Sequence, residues 1–290
     1  MIMSQGKCGL GTCTTRYLVA MAAADLLVII SEVILRQLRY YYYPVCFLGI
    51  TPVCSVIHVL IRASIDCSVW FTVAFTFDRF VSFCCHKLKT KYCTGKNASA
   101  ILSITSILLC LKNVPWYFTF EPRKIIRNIP FYCKNKGSYY TDSHWIGFRS
   151  FAVALTPLVP FFFIVFLNVL TIARILFKSS QVRKGLRGQS KEGNQVDPEM
   201  KNRTTAVILL SVISGNFIVL WLLYVLFIVR VPDQLNVYDY DIFKQVGYML
   251  RNVSCCTNTL IYMAALPKFR AQFNRAVKYP VSRLIELITA

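Results

Sequence analysis

The sequence predicts an all-α membrane protein, on the basis of its hydropathy, its low charge content and the length of its apolar segments. Hydrophobic residues make up 56% of the 290 positions and charged residues 16%, with a mean hydropathy of +0.50. The apolar residues occur in long blocks, a pattern that favours membrane helices over an aqueous core. Because no region is both long and polar, residues 1–290 are predicted to form a single transmembrane domain.

Six apolar segments each reach the ~20 residues that a helix needs to cross a hydrocarbon core of about 30 Å. Helix is the expected state because backbone groups in lipid must be hydrogen-bonded within their own segment. Residues 178–203 are predicted to be a flexible loop, and residues 267–278 an amphipathic surface helix, with a frayed tail as the alternative. The predicted spans are approximately 16–38, 53–83, 98–120, 148–177, 204–230 and 242–264.

The strong positive charge is distributed unevenly between the two sides of the predicted helices. The formal net charge is +20. Eighteen lysines and arginines fall in the ends and connections on one side, and ten on the other. The positive-inside rule makes the first side cytoplasmic. The basic residues are therefore explained by topology, and no nucleic-acid partner is predicted.

Cys54 and the sequence Asp78-Arg79-Phe80 lie near opposite ends of the second apolar segment. At 1.5 Å per residue, a helix from Cys54 to Arg79 is about 38 Å long, enough to cross a membrane. Cys54 is therefore predicted at the outer face and Arg79 at the inner face. In an oxidising compartment Cys133 is the favoured disulfide partner of Cys54, with Cys46 as the competing candidate.

Asp78-Arg79-Phe80 resembles the D/E-R-Y motif of rhodopsin-like G-protein-coupled receptors, with phenylalanine in place of tyrosine. Residues 67–80 and 182–191 most closely resemble a vertebrate orphan subgroup proposed to sense the aromatic amino acids tryptophan and phenylalanine. Other family motifs are matched in the same chain order by Asp25 (second helix), Pro160 and Asn168 (fifth helix), Phe217 and Trp221 (sixth helix), and Asn258–Tyr262 (N-P-x-x-Y).

The sequence also departs from this family pattern. Six of the family's seven spans are predicted, and residues 1–15 resemble the end of the first helix and the first inner loop. Leu223 and Thr259 stand where the sixth and seventh helices of the family carry proline. Proline is the usual cause of a sharp helix kink. The family's proline kinks are therefore not expected in these two helices.

The resemblance implies a role for each matched residue. A G-protein switch is expected at Asp78, Arg79, Phe80, Asn168, Asn258 and Tyr262. Phe217 and Trp221 are expected to transmit the effect of a bound ligand to the inner half of the sixth helix, and ordinary core packing is the alternative. Asp25, Ser68, Ser254 and Asn258 are expected either to bind an allosteric sodium ion or to form a hydrogen-bonded polar cluster that joins helices.

Two arginines inside the predicted spans are candidates for ligand recognition. Arg62 lies four residues from Asp66, so the two side chains are predicted to pair. Arg251 must find an anion or water at its depth. Either arginine is predicted to bind a ligand carboxylate, with an internal salt bridge to Asp66 as the alternative. The rest of the predicted pocket consists of Asp66, Tyr224, Tyr248 and Asn252.

These observations together predict a plasma-membrane receptor that couples an extracellular small ligand to a heterotrimeric G-protein. The ligand classes considered are an aromatic amino acid and a small peptide. No GxSxG, HExxH or phosphate-loop motif appears, so no enzymatic activity is predicted. The alternatives are a non-signalling truncated fragment of such a receptor and a six-span solute carrier, which the absence of an internal repeat disfavours.

Overall fold

The computed structural model is a bundle of long helices with one β-hairpin, and it describes residues 11–42, 46–186, 198–229, 237–265, 269–271 and 273–274. α1 (Thr12–Val28) continues through a π-helical segment, Ile29–Leu35, into α2 (Arg36–Tyr41). The remaining elements are α3 (Thr51–Cys84), α4 (His86–Tyr92), α5 (Gly95–Asn113), β1 (Phe120–Ile126), β2 (Ile129–Asn135), α6 (Ser138–Thr141), α7 (Ser143–Val153), α8 (Val159–Leu186), α9 (Pro198–Ile228) and α10 (Val237–Ala265).

Five helical segments in the described part of the chain are long and apolar enough to cross a membrane. They are Thr12–Arg39, Thr51–Cys84, Gly95–Thr119, Ser143–Arg174 and Ser211–Ile228, with mean hydropathies of 1.5 to 2.4. The sixth predicted span, 242–264, lies within the 29-residue helix α10. It is less apolar than the others because Arg251, Asn252 and Asn258 interrupt its apolar run.

The predicted loop and the predicted surface helix on the cytoplasmic side have different bounds in the structure. The predicted loop 178–203 is helical at both ends, because α8 continues to Leu186 and α9 begins at Pro198. Residues 187–197 lie outside the described residues. Of the predicted surface helix 267–278, residues 269–271 and 273–274 are helical, and the others lie outside the described part.

α3 lies at the centre of the bundle and packs against α1, α5, α8 and α9. Pro52 stands in its first turn, where the missing N–H has no intrahelical partner to lose. Hydroxyl groups along α3 donate back to carbonyls four residues earlier, as Ser55 does to Thr51 (2.9 Å) and Thr76 to Thr72 (2.8 Å). Polar side chains are thus satisfied inside an otherwise apolar helix.

Buried side chains form clusters at different heights of the bundle. Near Arg79, a cluster that includes Tyr17, Phe75 and Tyr262 joins α1, α3 and α10. Around mid-height, Val69, Phe217 and Trp221 belong to a second cluster. The opposite end, called the hairpin end below, is covered by the antiparallel pair β1–β2. The fold therefore separates an Arg79 end from a hairpin end.

Candidate ligand cavity and switch residues

The acid–arginine pair at the Arg79 end is buried and closed. Asp78 has no exposed surface and Arg79 is 8% exposed. Arg79 Nε donates to Asp78 Oδ2 at 3.1 Å, and the guanidinium Nη2 forms an ion pair with the same carboxylate. The Cys13 thiol donates to Asp78 Oδ1 at 3.0 Å. Arg79 is thus held by its neighbour rather than extended towards water, while Phe80 is half-buried.

Cys93, in the connection between α4 and α5, also contacts this pair. Its thiol donates to the Asp78 carbonyl oxygen at 3.7 Å. Burial, followed by the nearby Asp78 carboxylate, raises the pKa of the Cys93 thiol to about 12. The thiol therefore stays protonated at neutral pH and acts as a weak donor.

The other predicted switch residues lie apart from the Asp78–Arg79 pair. Tyr262 is buried, its ring packs edge-on against Phe269 at 6.1 Å, and its hydroxyl has no hydrogen-bond partner among the described residues. Asn168 Nδ2 donates to the Ile164 carbonyl at 2.7 Å. Neither side chain forms a hydrogen bond with Arg79 in the described part of the chain, so this arrangement leaves the predicted switch unassembled.

Asp25 forms a polar link between helices. Ser68 donates to its Oδ1, and Asn258 Nδ2 donates to its Oδ2 at 2.7 Å. Ser254, which was predicted to join this cluster, instead donates to the Arg251 carbonyl and accepts from Trp221 Nε1 at 3.0 Å. Ser254 therefore makes its described hydrogen bonds outside the Asp25 cluster, and the sodium site stays a prediction. The geometry fits the polar-cluster alternative.

Trp221 connects the middle of the bundle with a cavity above it. Its ring stacks on Phe217, with ring centroids 5.0 Å apart, and meets Tyr224 edge-on at 5.6 Å. Trp221 is nearly fully buried, yet it lines the cavity. A molecule in the cavity can therefore contact the same side chain that packs on Phe217.

The cavity, called the inner cavity below, has a volume of about 280 Å³ and lies between α3, α9 and α10. Five of its lining residues are basic and two are acidic. Aromatic side chains from four positions complete its walls. The charged residues are Glu32, Arg36, Arg62, Asp66, Lys112, Arg149 and Arg251, and the aromatic residues of the wall are Trp116, Trp221, Tyr224 and Tyr248.

Arg251 pairs with Glu32, which corrects the predicted alternative of a bridge to Asp66. Arg251 Nη2 and Glu32 Oε2 form an ion pair, with both side chains only 4% exposed. The guanidinium carbon also lies 4.8 Å from the ring centroid of Tyr224 and 5.0 Å from that of Tyr248. The charge of Arg251 is therefore neutralised within the protein, which removes it as the first candidate for a ligand carboxylate.

Arg62 and Asp66 do not pair with each other, so that prediction is wrong. Asp66 instead accepts from Lys112 at 2.6 Å and from Asn113. The Arg62 guanidinium lies over Trp116, with its central carbon 3.7 Å from the ring centroid. Packing of α5 against α3 brings a closer cation to Asp66 and leaves Arg62 stacked on an aromatic ring.

Four charged residues of the inner cavity were absent from the predicted pocket: Glu32, Arg36, Lys112 and Arg149. The sequence did contain a signal for Glu32 and Lys112. Both are ionisable residues inside predicted apolar spans, where such a residue needs a partner. The predicted Tyr224 and Tyr248 do line the inner cavity. Asn252 lines a neighbouring cavity between the π-helical segment and α10, which shares Glu32, Arg36 and Tyr248 with the inner cavity, so its place in the ligand pocket stays a prediction.

The family model for the 7 transmembrane receptor (rhodopsin family) matches residues 2–262. The chain belongs to the rhodopsin family of seven-transmembrane receptors. It is accordingly a multi-pass protein of the plasma membrane, and its family consists of signalling receptors, not enzymes. The resemblance to the aromatic-amino-acid subgroup stays a prediction.

In this rhodopsin-family receptor, a disulfide fastens the hairpin to α3. Cys54 is joined to Cys133 with their Cα atoms 6.0 Å apart, while Cys46 is a free thiol. The ring of His58, one turn further along α3, stacks on Phe120 at 4.8 Å. The hairpin is thus held over the end of α3, beside the inner cavity that His58 lines.

Replacing Cys54 with serine is expected to lower the free energy of unfolding by about 2–5 kcal/mol, because the disulfide closes a long loop in the unfolded chain. The loop is long, since the two cysteines are 79 residues apart in sequence. Surface expression and thermal unfolding of the purified receptor would measure the loss. Cys46→Ser is the matched control, and an equal loss in that variant would contradict the assignment.

Proposed function

We propose that this receptor converts the binding of a small extracellular ligand that carries a carboxylate into activation of a heterotrimeric G-protein. The observation behind the proposal is the charge of the inner cavity. Arg62 and Arg149 form no ion pair with any carboxylate among the described residues, whereas Arg251 and Lys112 do. Two cations without a matching acid favour an anionic group on the ligand.

The orientation of Arg62 suits it to this role. A guanidinium that stacks flat on an aromatic ring keeps its N–H groups free at the edge of its plane. Those N–H groups match the two oxygens of a carboxylate, and such bidentate contacts are stronger and more directional than a single hydrogen bond. Arg149 lines the same cavity and lies 5.5 Å from the ring centroid of Tyr139. We assign the ligand carboxylate to Arg62, with Arg149 as a second contact.

The size and walls of the inner cavity support a small aromatic ligand. Its volume of about 280 Å³ lies just below the usual range for ligand pockets, which starts at about 300 Å³. Trp116, Trp221 and Tyr224 offer ring faces and edges against which a ligand ring can pack. An aromatic amino acid, or an aromatic residue at the end of a small peptide, meets both requirements.

Trp221 is the proposed route from the inner cavity to the inner half of the bundle. A ligand shifts the receptor only by the difference in its affinity for two packings of the helices. Contact with Trp221 would change its stacking on Phe217 and its hydrogen bond to Ser254. Because Phe217 and Ser254 lie on α9 and α10, both helices would respond, and the Arg79 end would open to the G-protein.

Arg62→Ala is the direct test, with L-tryptophan as the ligand and G-protein dissociation in cells as the readout. The variant is expected to need about 10- to 100-fold more tryptophan for half-maximal response, because a charged hydrogen-bonded contact contributes roughly 1.5–3 kcal/mol. Tryptamine, which lacks the carboxylate, should be equally weak on both proteins. Arg127→Ala, on the hairpin outside the inner cavity, is the control, and an unchanged tryptophan response in Arg62→Ala would refute the assignment.

A further inference from the structure

A second and larger cavity, called the outer cavity below, opens at the hairpin end of the receptor. Its volume is about 900 Å³, roughly three times that of the inner cavity, and it lies between α2 and β1–β2. Four basic residues line it, and no acidic residue of the described chain does. The basic residues are Arg36, Arg39, Arg123 and Lys124, accompanied by Tyr41 and Tyr132.

Two of these cations have no anionic partner among the described residues. Arg39 donates to the Cys54 sulfur at 2.6 Å, and a disulfide sulfur is a weak and uncharged acceptor. Arg123 is exposed and forms no ion pair within the described chain. The nearest acid on the same strand, Glu121, is paired with Lys134 at 3.2 Å. Within the described residues, the charges of Arg39 and Arg123 are therefore not neutralised by an ion pair.

Arg36 connects the outer cavity with the inner one, since its side chain lines both. Its nearest acid is Glu32, at 3.6 Å, and about half of the Arg36 side chain (49%) is exposed. Glu32 is already bound closely by the buried Arg251. The two cavities therefore adjoin at Arg36.

We propose that the outer cavity binds acidic side chains of a short extracellular peptide whose terminal aromatic residue and carboxylate enter the inner cavity. This inference rests on the proposed function for the inner end of the ligand. A free amino acid fills only the smaller cavity, whereas a peptide spans both. Because the cations lie on two separate elements, α2 and β1, several spaced carboxylates match them better than one compact anion.

A binding measurement on purified full-length receptor in nanodiscs of zwitterionic lipid tests this inference. The probes are two fluorescein-labelled tetrapeptides, Glu-Glu-Glu-Phe and Gln-Gln-Gln-Phe, each with a free carboxyl terminus, followed by fluorescence anisotropy. The acidic peptide is expected to bind about 10-fold more tightly or better, and its advantage should shrink as salt is raised from about 0.05 to 0.3 M, because salt screens exposed charges.

Matched charge removals on the same hairpin locate the site. Arg123→Gln with Lys124→Gln should remove most of the advantage of the acidic peptide. Arg127→Gln at the turn with Lys136→Gln just past β2 removes the same charge from positions that do not line the outer cavity, and it should leave the advantage in place. Equal affinity of the two peptides for the unaltered receptor, or equal losses in both double variants, would overturn the inference.

Two further arms separate this inference from its rivals. Arg62→Ala should weaken both peptides alike. Suppose that Arg62→Ala leaves the affinities for both peptides unchanged, while Arg123→Gln with Lys124→Gln still removes the advantage of the acidic peptide. The proposed function then fails, and the peptide site in the outer cavity is retained. Pyrophosphate that displaces the acidic peptide as effectively as free tri-glutamate, at matched total charge, would mean a site for compact oxyanions and would overturn the peptide assignment.

Discussion

Arg251→Ala is expected to lower the free energy of unfolding by about 3–5 kcal/mol, because removal of one partner leaves an uncompensated buried charge. The partner is Glu32, and both side chains are only 4% exposed. The substitution also removes a guanidinium that lies over the rings of both Tyr224 and Tyr248. Thermal or denaturant unfolding of the purified receptor in detergent would measure the change.

A double-mutant cycle separates the pair from the packing around it. Glu32→Gln alone should also destabilise the receptor, and the double variant Glu32→Gln with Arg251→Ala should lose less than the two single losses added together. Arg36→Ala is the control, since Arg36 lies 3.6 Å from the same Glu32 but is half exposed. A half-exposed ion pair of this kind contributes about 1 kcal/mol or less to the free energy of unfolding. Additive losses in the cycle would mean that Glu32 and Arg251 are not coupled.

The spans were predictable because lipid imposes one strong requirement on the backbone, and long apolar blocks reveal it directly. The β-hairpin was missed, although its sequence carried a signal. Arg127 and Asn128 form a two-residue connection with φ values of 51° and 59°, and Asn is favoured in such hairpin turns. The predicted connection was treated only as a basic loop between spans, and its extended segments on either side of the turn were not considered.

The pairing of charges inside the bundle was less predictable, because it depends on how helices rotate against each other. Spacing along α3 suggested that Arg62 meets Asp66, yet Lys112 from the α5 side lies closer to Asp66. Glu32 and Arg251 are separated by 219 residues, and no local pattern joins them. Sequence identified Arg251 as a residue in need of an anion, and only the packing of the helices supplies that anion.

The disulfide was more predictable than the charge pairs and less predictable than the spans. The position of Cys54 near the start of a long apolar helix, and of Cys133 in the following outer connection, favoured their pairing over Cys46. The final choice depended on the hairpin, which places Cys133 over the end of α3. Covalent geometry then selects the partner, because only cysteines with nearby Cα atoms can be joined.

Asp78→Asn is expected to raise ligand-independent G-protein activation by about 10-fold or more. In the structure, the buried Asp78 carboxylate holds Arg79 through an ion pair and a hydrogen bond. Asparagine keeps an oxygen that accepts from the Cys13 thiol, so packing is preserved while the charge is lost. A charged hydrogen bond contributes roughly 1.5–3 kcal/mol, and loss of that amount shifts a two-state equilibrium about 10- to 100-fold.

Arg79→Ala tests the same pair from the other side and should abolish activation with or without ligand, because the freed arginine is the group proposed to contact the G-protein. Nucleotide exchange on purified G-protein with receptor in nanodiscs measures both variants directly. Asp78→Glu, which keeps the charge, is the control and should stay close to the unaltered receptor. If Asp78→Asn shows unchanged basal exchange while Arg79→Ala still signals, then the pair contributes to folding and the switch lies elsewhere. Because the two variants have opposite expected effects, a general loss of stability cannot produce both results.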